Sequence, residues 1–592
     1  MNSHRKKPFS AKQKKKQLQE RKQRKAGNVS EGRTYRPTVV EQPAPKMFVP
    51  RKEGDQPSDY GRSDTMKHFV PAQVSAGTSS NRLRSVFEKI SPDVIERARL
   101  ASMKPFKRLP QTALEVGIAT GEDMIDFPKR PKWNYGMTKD QLEQSEKQEF
   151  EKWLEDIYER YGDHVEDNGN GEQKQLSWFE HNLEVWRQLW RVLEISDVIL
   201  IIIDIRHPVL HLPTTLYRYL TQELRRKVVA VFNKTDLVAE KTVYAWTKYF
   251  EEVYPELYIA NFSCFPRDEN LIDDTSTYVL KTRLKRPRKR NYRASGIRDI
   301  LLACKDVQLD KQGVTVDWNS IIRNYDIESQ QDGDEPHHLD DASDSGSETG
   351  SMDGLDDEFS GILDITDQEV TPHKDYVTIG LVGHPNVGKS SLINSIMGRT
   401  VVSASRTPGH TKHFQTIHLT ANVRLCDSPG LVFPSLLPKP LQILSGMYPI
   451  AQVQEPYSTI QYLAERIPLE KILRLTPPDH NKDHAWSAWD ICEEYAKDRG
   501  FFTAKAARPD VYRAANVILR LANDGRILLS FKPPGFFTST KYELLKMREI
   551  EAREALEETD DESDEESDES DESDQFDGPT TTSNIFDALQ DA

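Results

Sequence analysis

Apolar residues along the chain form two kinds of run, which together predict an α/β fold. From Ser177, the stretch SWFEHNLEVWRQLWRVLEISD places Leu183, Trp186, Leu189 and Leu193 at helical spacing. Directly after it, DVILIIID is a continuous apolar run, typical of strands buried on both faces of a parallel sheet. KVVAVFNKTD and ELYIANFSC repeat this strand pattern, with helical stretches between them. Such alternation predicts a doubly wound, mostly parallel sheet.

The same alternation resumes later in the chain and then gives way to helices. From Asp375, a strand, a glycine-rich loop and a helix precede two more strands, HFQTIHL and VRLCDSPG. After Pro434, three stretches have helical spacing: YSTIQYLAERI, WDICEEYAKDRG and PDVYRAANVILRLANDG. The last two end at Gly500 and Gly525, which favour helix termination. We therefore expect a smaller helical domain after the sheet, and Ser295 is the predicted N-cap of a further helix.

Charge is distributed unevenly along the 592 residues, and this predicts where the chain is not folded. The net charge of −14 combines a basic N-terminus with an acidic C-terminus, and blocks of like charge seldom fold. Residues 326–361 are poor in apolar residues and rich in Asp, Ser and Gly, which predicts a disordered acidic linker. The predicted segments are a basic, largely disordered N-terminal extension (1–135), a helical lead-in (136–176), the first part of the sheet domain (177–305), an acidic disordered insert (306–374), the second part of the sheet domain (375–435), a helical C-terminal domain (436–545), and a charged helix with an acidic disordered tail (546–592).

Three observations bear on where the protein resides. The four cysteines are far apart, with neither zinc-ligand spacing nor a disulfide framework, which favours a reducing compartment. The longest apolar run, VILIII, is too short to span a bilayer. The charged N-terminus is not followed by the apolar core of a secretory signal. We therefore expect a protein that is not secreted and has no membrane partner.

The stretch GHPNVGKS, residues 383–390, fits the phosphate-loop pattern G-x-x-x-x-G-K-[ST]. It follows a predicted strand and opens a predicted helix, which is the context this motif requires. Glycines allow backbone N–H groups to surround phosphates, while Lys389 reaches the terminal phosphates and Ser390 ligates Mg²⁺. The predicted nucleotide contacts in this region are Gly383, His384, Pro385, Asn386, Val387, Gly388, Lys389, Ser390 and Ser391.

Two stretches downstream of the loop complete a phosphate and magnesium site. In CDSPG, Asp427 can hold Mg²⁺ through water, and the Gly430 N–H can meet the terminal phosphate. A lone D-x-x-G is a weak motif, but its short distance after the phosphate loop strengthens it. Between them, RTPGHTKHF offers Thr411 as a second hydroxyl ligand of Mg²⁺. We predict Lys389, Thr411 and Gly430 as catalytic, and Asp427, Ser428, Pro429 and Gly430 as nucleotide contacts.

The stretch NKTD, with Asn233, Lys234 and Asp236, ends an apolar strand and predicts a guanine site. The carboxylate of Asp236 can accept hydrogen bonds from both the N1–H and the 2-amino group of guanine. Adenine lacks that pair of donors and would leave a buried charge unpaired. FSC, at the end of the next strand, is predicted to supply a backbone N–H to the guanine 6-oxygen, with Ser263 and Cys264 as the predicted nucleotide contacts. A surface turn is the alternative for NKTD, but the phosphate loop elsewhere in the chain favours the base-reading role.

The order of these motifs is reversed, because the base-reading half precedes the phosphate half. A ligand lies at the carboxyl ends of the strands whichever strand comes first in the chain. Domain termini often lie close together, so joining them and opening the chain elsewhere is tolerated. We therefore predict a circularly permuted domain in which both matches are genuine.

This order, together with DIRHP (204–208) and GHPNVGKSSLIN, resembles the circularly permuted GTPases of the YlqF/YawG family. The resemblance covers about 177–304 and 375–536. It implies a Ras-like P-loop GTPase domain that binds GTP or GDP with Mg²⁺, hydrolyses GTP slowly and associates with pre-ribosomal particles. The family's Ser-Ala-Lys motif on the base side is Ser-Cys-Phe here, which leaves that contact to the backbone.

Leu431 follows Gly430, at the position where classical small GTPases carry a water-orienting glutamine. A leucine cannot orient water, so hydrolysis must be slow or completed by something else. The resemblance implies a monovalent cation, because Asn386 matches the asparagine that helps to hold K⁺ in potassium-activated relatives. A second hypothesis is a regulatory protein that holds GTP or GDP with little turnover and has a non-ribosomal partner.

The charged segments predict partners. The arm Arg5–Lys25 is strongly basic with one aromatic residue, which favours contact with phosphates of ribosomal RNA and recognition by import receptors over base stacking. The run KTRLKRPRKRNYR (281–293) has the same two interpretations, with a solvated loop as the alternative. We expect a nuclear and nucleolar protein that shuttles with the cytoplasm. Acid-directed kinases favour the serines of the acidic tail, which are Ser563, Ser567, Ser570 and Ser573.

Overall fold

The chain alternates between strands and helices in its first half and again from residue 377. The computed structural model describes residues 92–118, 124–162, 165–167, 173–265, 280, 294–307, 314–331, 376–404, 409, 411, 413–478, 484–503 and 507–551, and all of them belong to one unit, residues 74–592. The arm Arg5–Lys25, the run 281–293 and the serines of the acidic tail lie outside the described residues. In chain order the elements are α1 (Pro92–Ser102), α2 (Lys139–Tyr161), β1 (Val165–Asp167), β2 (Gln173–Leu176), α3 (Leu183–Ile195), β3 (Val198–Asp204), α4 (Pro208–His211), α5 (Thr214–Arg218), β4 (Lys227–Asn233), α6 (Glu240–Val253), β5 (Tyr258–Phe262), α7 (Ile297–Asp306), α8 (Trp318–Gln331), β6 (Val377–Val382), α9 (Lys389–Ile396), β7 (Gln415–His418), β8 (Val423–Asp427), β9 (Leu436–Leu437), α10 (Lys439–Leu444), α11 (Tyr457–Arg466), α12 (Leu469–Ile472), α13 (Ala488–Asp498), α14 (Val511–Asn523) and α15 (541–551).

Six strands form the main sheet in the order β5-β4-β3-β6-β8-β7, and only β7 is antiparallel to its neighbour. The central strand β3 pairs with β4 from Val198↔Lys227 to Asp204↔Asn233. On its other side β3 pairs with β6, which belongs to the second half of the chain. The two halves are therefore joined at the centre of one sheet, and the predicted doubly wound, mostly parallel fold is confirmed.

The sheet separates two apolar cores, which explains why β3 is apolar along its whole length. Successive side chains of a strand point to opposite faces. Ile201 faces the core with Trp186 of α3 and Phe250 of α6, while Leu200 faces the core with Leu392 of α9. Helices α7, α8 and α9 cover the second face.

The helical C-terminal part packs on the same face as α3 and α6, and it shares their core. Side chains of α11, α13 and α14 join that core, among them Ile460, Ile491 and Ile518. A capping box of Ser487 with Asp490 begins α13. The core of this smaller part is therefore continuous with the core on that face of the sheet. Among the residues that the structure describes, no helix has the length and apolarity needed to cross a membrane.

Part of the predicted N-terminal extension, 1–135, is ordered. It contains α1 and a short turn of helix at Gln111–Leu114. Backbone bonds tie it to distant residues: Leu109 N–H donates to the Glu465 carbonyl (2.8 Å) and Val116 N–H to that of Lys532 (2.9 Å). Phe127 is buried against the rings of Trp186 and Phe433. The order of this segment comes from long-range contacts, which local periodicity does not reveal.

Three smaller differences concern neighbouring segments. The helical lead-in 136–176 also contains β1 and β2, which form an antiparallel sheet with β9. The insert predicted as disordered from 306 begins with α8, whose Ile322 is buried in the core on the α7 side of the sheet. Gly296, with φ 87°, precedes α7 in place of the predicted cap Ser295.

Candidate nucleotide site

The carboxyl ends of β3, β4, β6 and β8 bring the predicted motifs to one edge of the sheet. Asn233, at the end of β4, donates its amide to the Val387 carbonyl in the phosphate loop (2.6 Å). Lys234 donates its Nζ to the Asn386 carbonyl in the same loop (2.8 Å). The base-reading motif and the phosphate loop are thus in direct contact, although they are far apart in the chain.

The two glycines of the phosphate loop are needed because other atoms lie where a side chain would begin. Gly388 has φ 106°, and a Cβ there would lie 2.2 Å from the Asn233 Nδ2. Gly383 has φ 155°, and a Cβ there would lie 2.8 Å from the Ile202 carbonyl oxygen. Both positions exclude a side chain, so the loop lies close to β3 and β4.

Lys389 is buried at the start of α9 and faces back into the loop. Its Nζ donates to the carbonyls of Gly383 (2.9 Å) and His384 (2.8 Å). Burial lowers the pKa of Lys389 to about 8, against the opposing charge of Asp427. A phosphate at the N-terminus of α9 would restore the charged form of this lysine, since an anion favours the ammonium.

Three oxygen-bearing side chains meet where the metal was predicted. Ser390 Oγ lies 3.0 Å from Asp427 Oδ2 and 3.5 Å from Thr411 Oγ1. The other carboxylate oxygen, Asp427 Oδ1, is buried and has no hydrogen-bond partner among the described protein atoms. Burial raises the pKa of Asp427, against the opposing effects of Lys389 and Ser390. Mg²⁺ takes oxygen ligands from one or two carboxylates, hydroxyls and phosphates, so this set fits it.

The CDSPG stretch is held against the phosphate loop. Ser428 Oγ donates to the Leu381 carbonyl (2.7 Å) in β6. A Cβ at Gly430 would lie 2.8 Å from Pro385 Cα, so only glycine fits there. Leu431 is 2% exposed and belongs to the core shared with the helical part. Its side chain is packed among apolar side chains of that core.

The base side consists of Asp236 and the loop after β5. Ser263 Oγ donates to Asp236 Oδ1 (2.5 Å), and both residues are buried. Burial raises the pKa of Asp236, while the hydrogen bond from Ser263 opposes that rise. The Ser263 N–H donates to the Ser295 carbonyl (3.1 Å), while its hydroxyl contacts Asp236. The Cys264 sulfur lies 3.8 Å from Ser395 Oγ, at the end of α9.

Sequence reasoning assigned no chemistry to the pair Asp204 and Arg206, although it noted DIRHP. Asp204 ends β3 and is fully buried, and its Oδ2 lies 2.7 Å from Arg206 Nη2 and 2.6 Å from Lys234 Nζ. Burial alone would raise the pKa of Asp204, but the charges of Arg206 and Lys234 outweigh it and hold that pKa well below its usual range. Asp204 therefore positions the lysine of NKTD. A carboxylate at the end of an apolar strand was the available signal.

Arg206 and Asn386 connect the site to the helical part. Arg206 Nη1 donates to the Ala522 carbonyl (3.0 Å) at the C-terminus of α14, where a cation is favourable. The Phe531 N–H donates to the Arg206 carbonyl (2.9 Å). Asn386 has φ 60° and donates its amide to the Gly446 carbonyl (3.0 Å) after α10. The phosphate loop and β3 are each hydrogen-bonded to the helical part.

Three buried histidines lie under the site. The rings of His211 and His384 have centroids 5.3 Å apart, and those of His207 and His211 lie 6.3 Å apart. Burial lowers the pKa of His207 and of His211 to about 3, and it holds that of His384 well below its usual value. Neither nitrogen of His211 has a hydrogen-bond partner in the described part of the chain. These rings are therefore neutral at physiological pH.

Because both halves meet at the carboxyl ends of one sheet, with the base-reading half first, the protein is a circularly permuted P-loop GTPase. A family model described as "50S ribosome-binding GTPase" matches residues 378–465. The human protein "Guanine nucleotide-binding protein-like 1" is 42% identical over 553 residues, covering 90% of this chain and 86% of that protein. The mouse protein of the same name is 41% identical over 560 residues. The chain belongs to this family of guanine nucleotide-binding proteins.

More distant similarities are also found. "Large subunit GTPase 1" of Saccharomyces cerevisiae is 32% identical over 438 residues, covering 72% of this chain and 60% of that protein. Among solved structures, GNP-bound YlqF from T. maritima is 17% identical and covers 59% of this chain and 98% of that chain, with a TM-score of 0.31. A GDP-bound YlqF structure is 16% identical, with a TM-score of 0.30.

Proposed function

We propose that this protein is a slow, K⁺-stimulated GTPase that acts as a conformational switch in ribosome assembly. The observation that carries this proposal is the pair of contacts from the nucleotide site to the helical part, Arg206 to Ala522 and Asn386 to Gly446. A change at the phosphate loop on GTP hydrolysis would be transmitted through them to α10 and α14. The description of the family model, which names the 50S ribosome, and the name of the yeast relative, "Large subunit GTPase 1", support a ribosomal particle as the target.

The residues divide the chemistry among them. Asp236 selects guanine, the backbone of 383–390 and Lys389 hold the phosphates, and Ser390, Thr411 and Asp427 hold Mg²⁺. The metal, when bound, neutralises charge that develops on the phosphates. The Gly430 N–H faces the terminal phosphate. Leu431 supplies no polar group for the attacking water, and for this reason we propose slow turnover.

Potassium should accelerate hydrolysis, because Asn386 supplies a carboxamide oxygen beside the phosphates while its amide nitrogen is held by Gly446. We expect a turnover well below about 1 s⁻¹ in K⁺. Hydrolysis is measured as phosphate release in K⁺ and in Na⁺ at equal ionic strength. Lys389→Ala should abolish tight binding in either salt and serves as the blank. Equal rates in K⁺ and Na⁺ would remove the cation from the mechanism.

The alternative function is a regulatory protein that holds GTP or GDP with little turnover and has a non-ribosomal partner. The buried Leu431 favours this alternative, since a leucine side chain cannot position the attacking water. Co-sedimentation with pre-ribosomal subunits, in GTP and in GDP, discriminates the two. A nucleotide-dependent peak with the particles supports the assembly switch, and its absence supports the regulatory protein.

The basic arm should bind ribosomal RNA and direct nuclear and nucleolar accumulation, and the protein should shuttle with the cytoplasm. We also propose import receptors as partners of the arm and an acid-directed kinase as the modifier of the acidic tail. Deleting residues 1–25 should weaken RNA binding and lower its salt dependence, because fewer phosphates are neutralised. The affinity for GTP should be unchanged, which controls for folding.

Removing residues 557–577 should have the opposite effect on RNA, because an acidic tail competes with RNA for the arm. The increase in RNA affinity should be greatest at low salt, where electrostatic competition between the tail and RNA is strongest. Filter binding with ribosomal RNA over a salt series measures both deletions. If the arm deletion alters neither RNA affinity nor localisation, the arm is only a solubilising tail.

A further inference from the structure

A surface of aromatic and basic side chains lies at the edge of the sheet opposite the nucleotide site. It lies around Glu194, which is near the end of α3 and shortly before β3, and it includes the first residue of β4. The surface is therefore at the amino ends of β3 and β4. We call it the Trp133 surface. Its members are Lys132, Trp133, Tyr135, Arg225, Arg226 and Lys227.

Glu194 organises the Trp133 surface. Trp133 donates its indole N–H to Glu194 Oε1 (3.2 Å), and Arg130 Nη1 lies 2.5 Å from Glu194 Oε2. Arg226 Nη2 donates to the Glu194 carbonyl (2.9 Å), which brings the start of β4 to the same point. The Glu194 carboxylate is thereby occupied by protein groups, and it does not oppose an anionic ligand as a free charge would.

The two aromatic rings are held in position and exposed. Trp133 and Tyr135 have ring centroids 5.2 Å apart at 73°, and the Arg130 guanidinium covers one side of Trp133 at 5.1 Å. A turn closed by Asn134 and the capping box of Thr138 hold the loop on its C-terminal side. Tyr135 is nevertheless 81% exposed and Trp133 36% exposed. Packing within the described protein accounts for the position of these rings but not for their exposure.

The charge of the surface favours an anionic ligand. Lys132, Arg225 and Lys227 are exposed, and none of them forms an ion pair within the part of the chain that the structure describes. Trp133 and Tyr135 are the exposed large apolar residues between 124 and 227, so the surface offers aromatic rings without exposed aliphatic side chains. Exposed rings among cations are typical of sites that bind single-stranded nucleic acid, in which bases stack on the rings.

We propose that the Trp133 surface binds single-stranded RNA, with bases stacked on Tyr135 and Trp133 and phosphates held by Lys132, Arg225 and Lys227. This rests on the proposed function, since the RNA would belong to the ribosomal particle. It differs from the basic arm, which is expected to contact phosphates without stacking. An RNA strand bound here leaves the nucleotide site open, because the two lie at opposite edges of the sheet.

Tyr135→Ala in the full chain tests the stacking. We expect it to weaken binding of a labelled oligouridine at least about fivefold, while Tyr135→Phe, which keeps the ring, binds as the wild type does. Phe502→Ala removes another half-exposed ring, in the helical part, and should have no effect. Affinity for GTP should be unchanged in all three variants. An oligouridine that carries 4-thiouridine should crosslink to Trp133 or Tyr135.

The charges are tested by replacing Lys132, Arg225 and Lys227 with alanine. The slope of log affinity against log salt should fall by about 0.7 for each RNA phosphate that the variant no longer neutralises. The matched control removes three exposed cations elsewhere, Lys471, Lys546 and Arg548, and should leave the slope unchanged.

The outcomes separate this surface from the ribosomal role. If Tyr135→Ala binds oligouridine as tightly as wild type and no crosslink forms at the rings, the surface is not an RNA site, whether or not the protein sediments with particles. If Tyr135→Ala reduces co-sedimentation but not RNA affinity, the surface docks a protein instead. If the wild type binds RNA here but does not sediment with pre-ribosomal particles, the ribosomal role fails and the RNA site stands.

Discussion

Asp236→Asn should convert the site from guanine to xanthine nucleotides. The proposed role of the Asp236 carboxylate is to accept from both the N1–H and the 2-amino group of guanine, whereas asparagine offers one acceptor and one donor. Xanthine carries an oxygen in place of the 2-amino group and accepts from that donor. A site that hydrogen-bonds one ligand can discriminate by several orders of magnitude against a ligand that lacks the matching group, because buried polar groups are then left unpaired. We expect affinity for GTP to fall by about two orders of magnitude or more, and affinity for XTP to rise correspondingly.

Isothermal titration with GTP, XTP and ATP measures the three affinities directly on both proteins. Ser263→Ala is the matched control, because it removes the hydroxyl that holds Asp236 Oδ1 but keeps the carboxylate. It should weaken GTP binding modestly without creating XTP binding. Equal affinities for ATP and GTP in the wild type would remove the base-reading role of NKTD.

Acid should destabilise the fold sharply between pH 7 and pH 5, because His207, His211 and His384 are buried as neutral rings. Their folded-state pKa values are depressed, to about 3 for His207 and His211, so only the unfolded chain takes up protons near pH 6.5. The stability that these rings contribute is therefore complete above the unfolded pKa and is lost as pH falls below it. At one pH unit below 6.5, protonation of the unfolded chain lowers the free energy of unfolding by about 1.4 kcal/mol for each ring, or by about 4 kcal/mol for the three rings together.

Urea unfolding at neutral and mildly acid pH, followed by tryptophan fluorescence, measures this loss. His211→Asn should reduce the loss of unfolding free energy between neutral and mildly acid pH by about one third, since it removes one of three histidines with similar contributions. His418→Gln replaces an exposed histidine and should not change it. Comparing variants isolates the histidines from Asp236 and Asp427, whose raised pKa values act in the opposite direction. An identical pH dependence in wild type and His211→Asn contradicts the argument.

The apolar runs were enough to predict the sheet, because β3, β4 and β6 are buried on both faces and must be apolar throughout. Gly383, Gly388, Lys389 and Asp427 were predictable because the phosphate loop requires those residue types at fixed spacing. The base side was predictable from NKTD, although the hydroxyl role of Ser263 was not. Ser263 is also paired through its backbone with Ser295, which comes from another part of the chain.

Other features depend on residues too distant for local patterns to reveal. Arg206 pairs with its sequence neighbour Asp204, but its other partner, the Ala522 carbonyl, is brought to it only in the folded chain. The ordered part of the N-terminal extension has the same cause, since Val116 is bonded to Lys532. Its sequence is rich in proline and charge, and the contacts that order it are made with residues that come much later in the chain.

During translation, the permuted order decides when the protein first holds nucleotide. Chains are made and begin to fold from the N-terminus, so NKTD leaves the exit tunnel long before Lys389 and Asp427 exist. The hydrogen bonds of Arg206 are completed later still, because Ala522 and Phe531 are synthesised after Lys389 and Asp427. A chain that ends before residue 383 lacks the phosphate loop, and one that ends before Ala522 leaves Arg206 paired with Asp204 but open to water. The nucleotide site is therefore completed late in synthesis, and its link to the helical part is completed last.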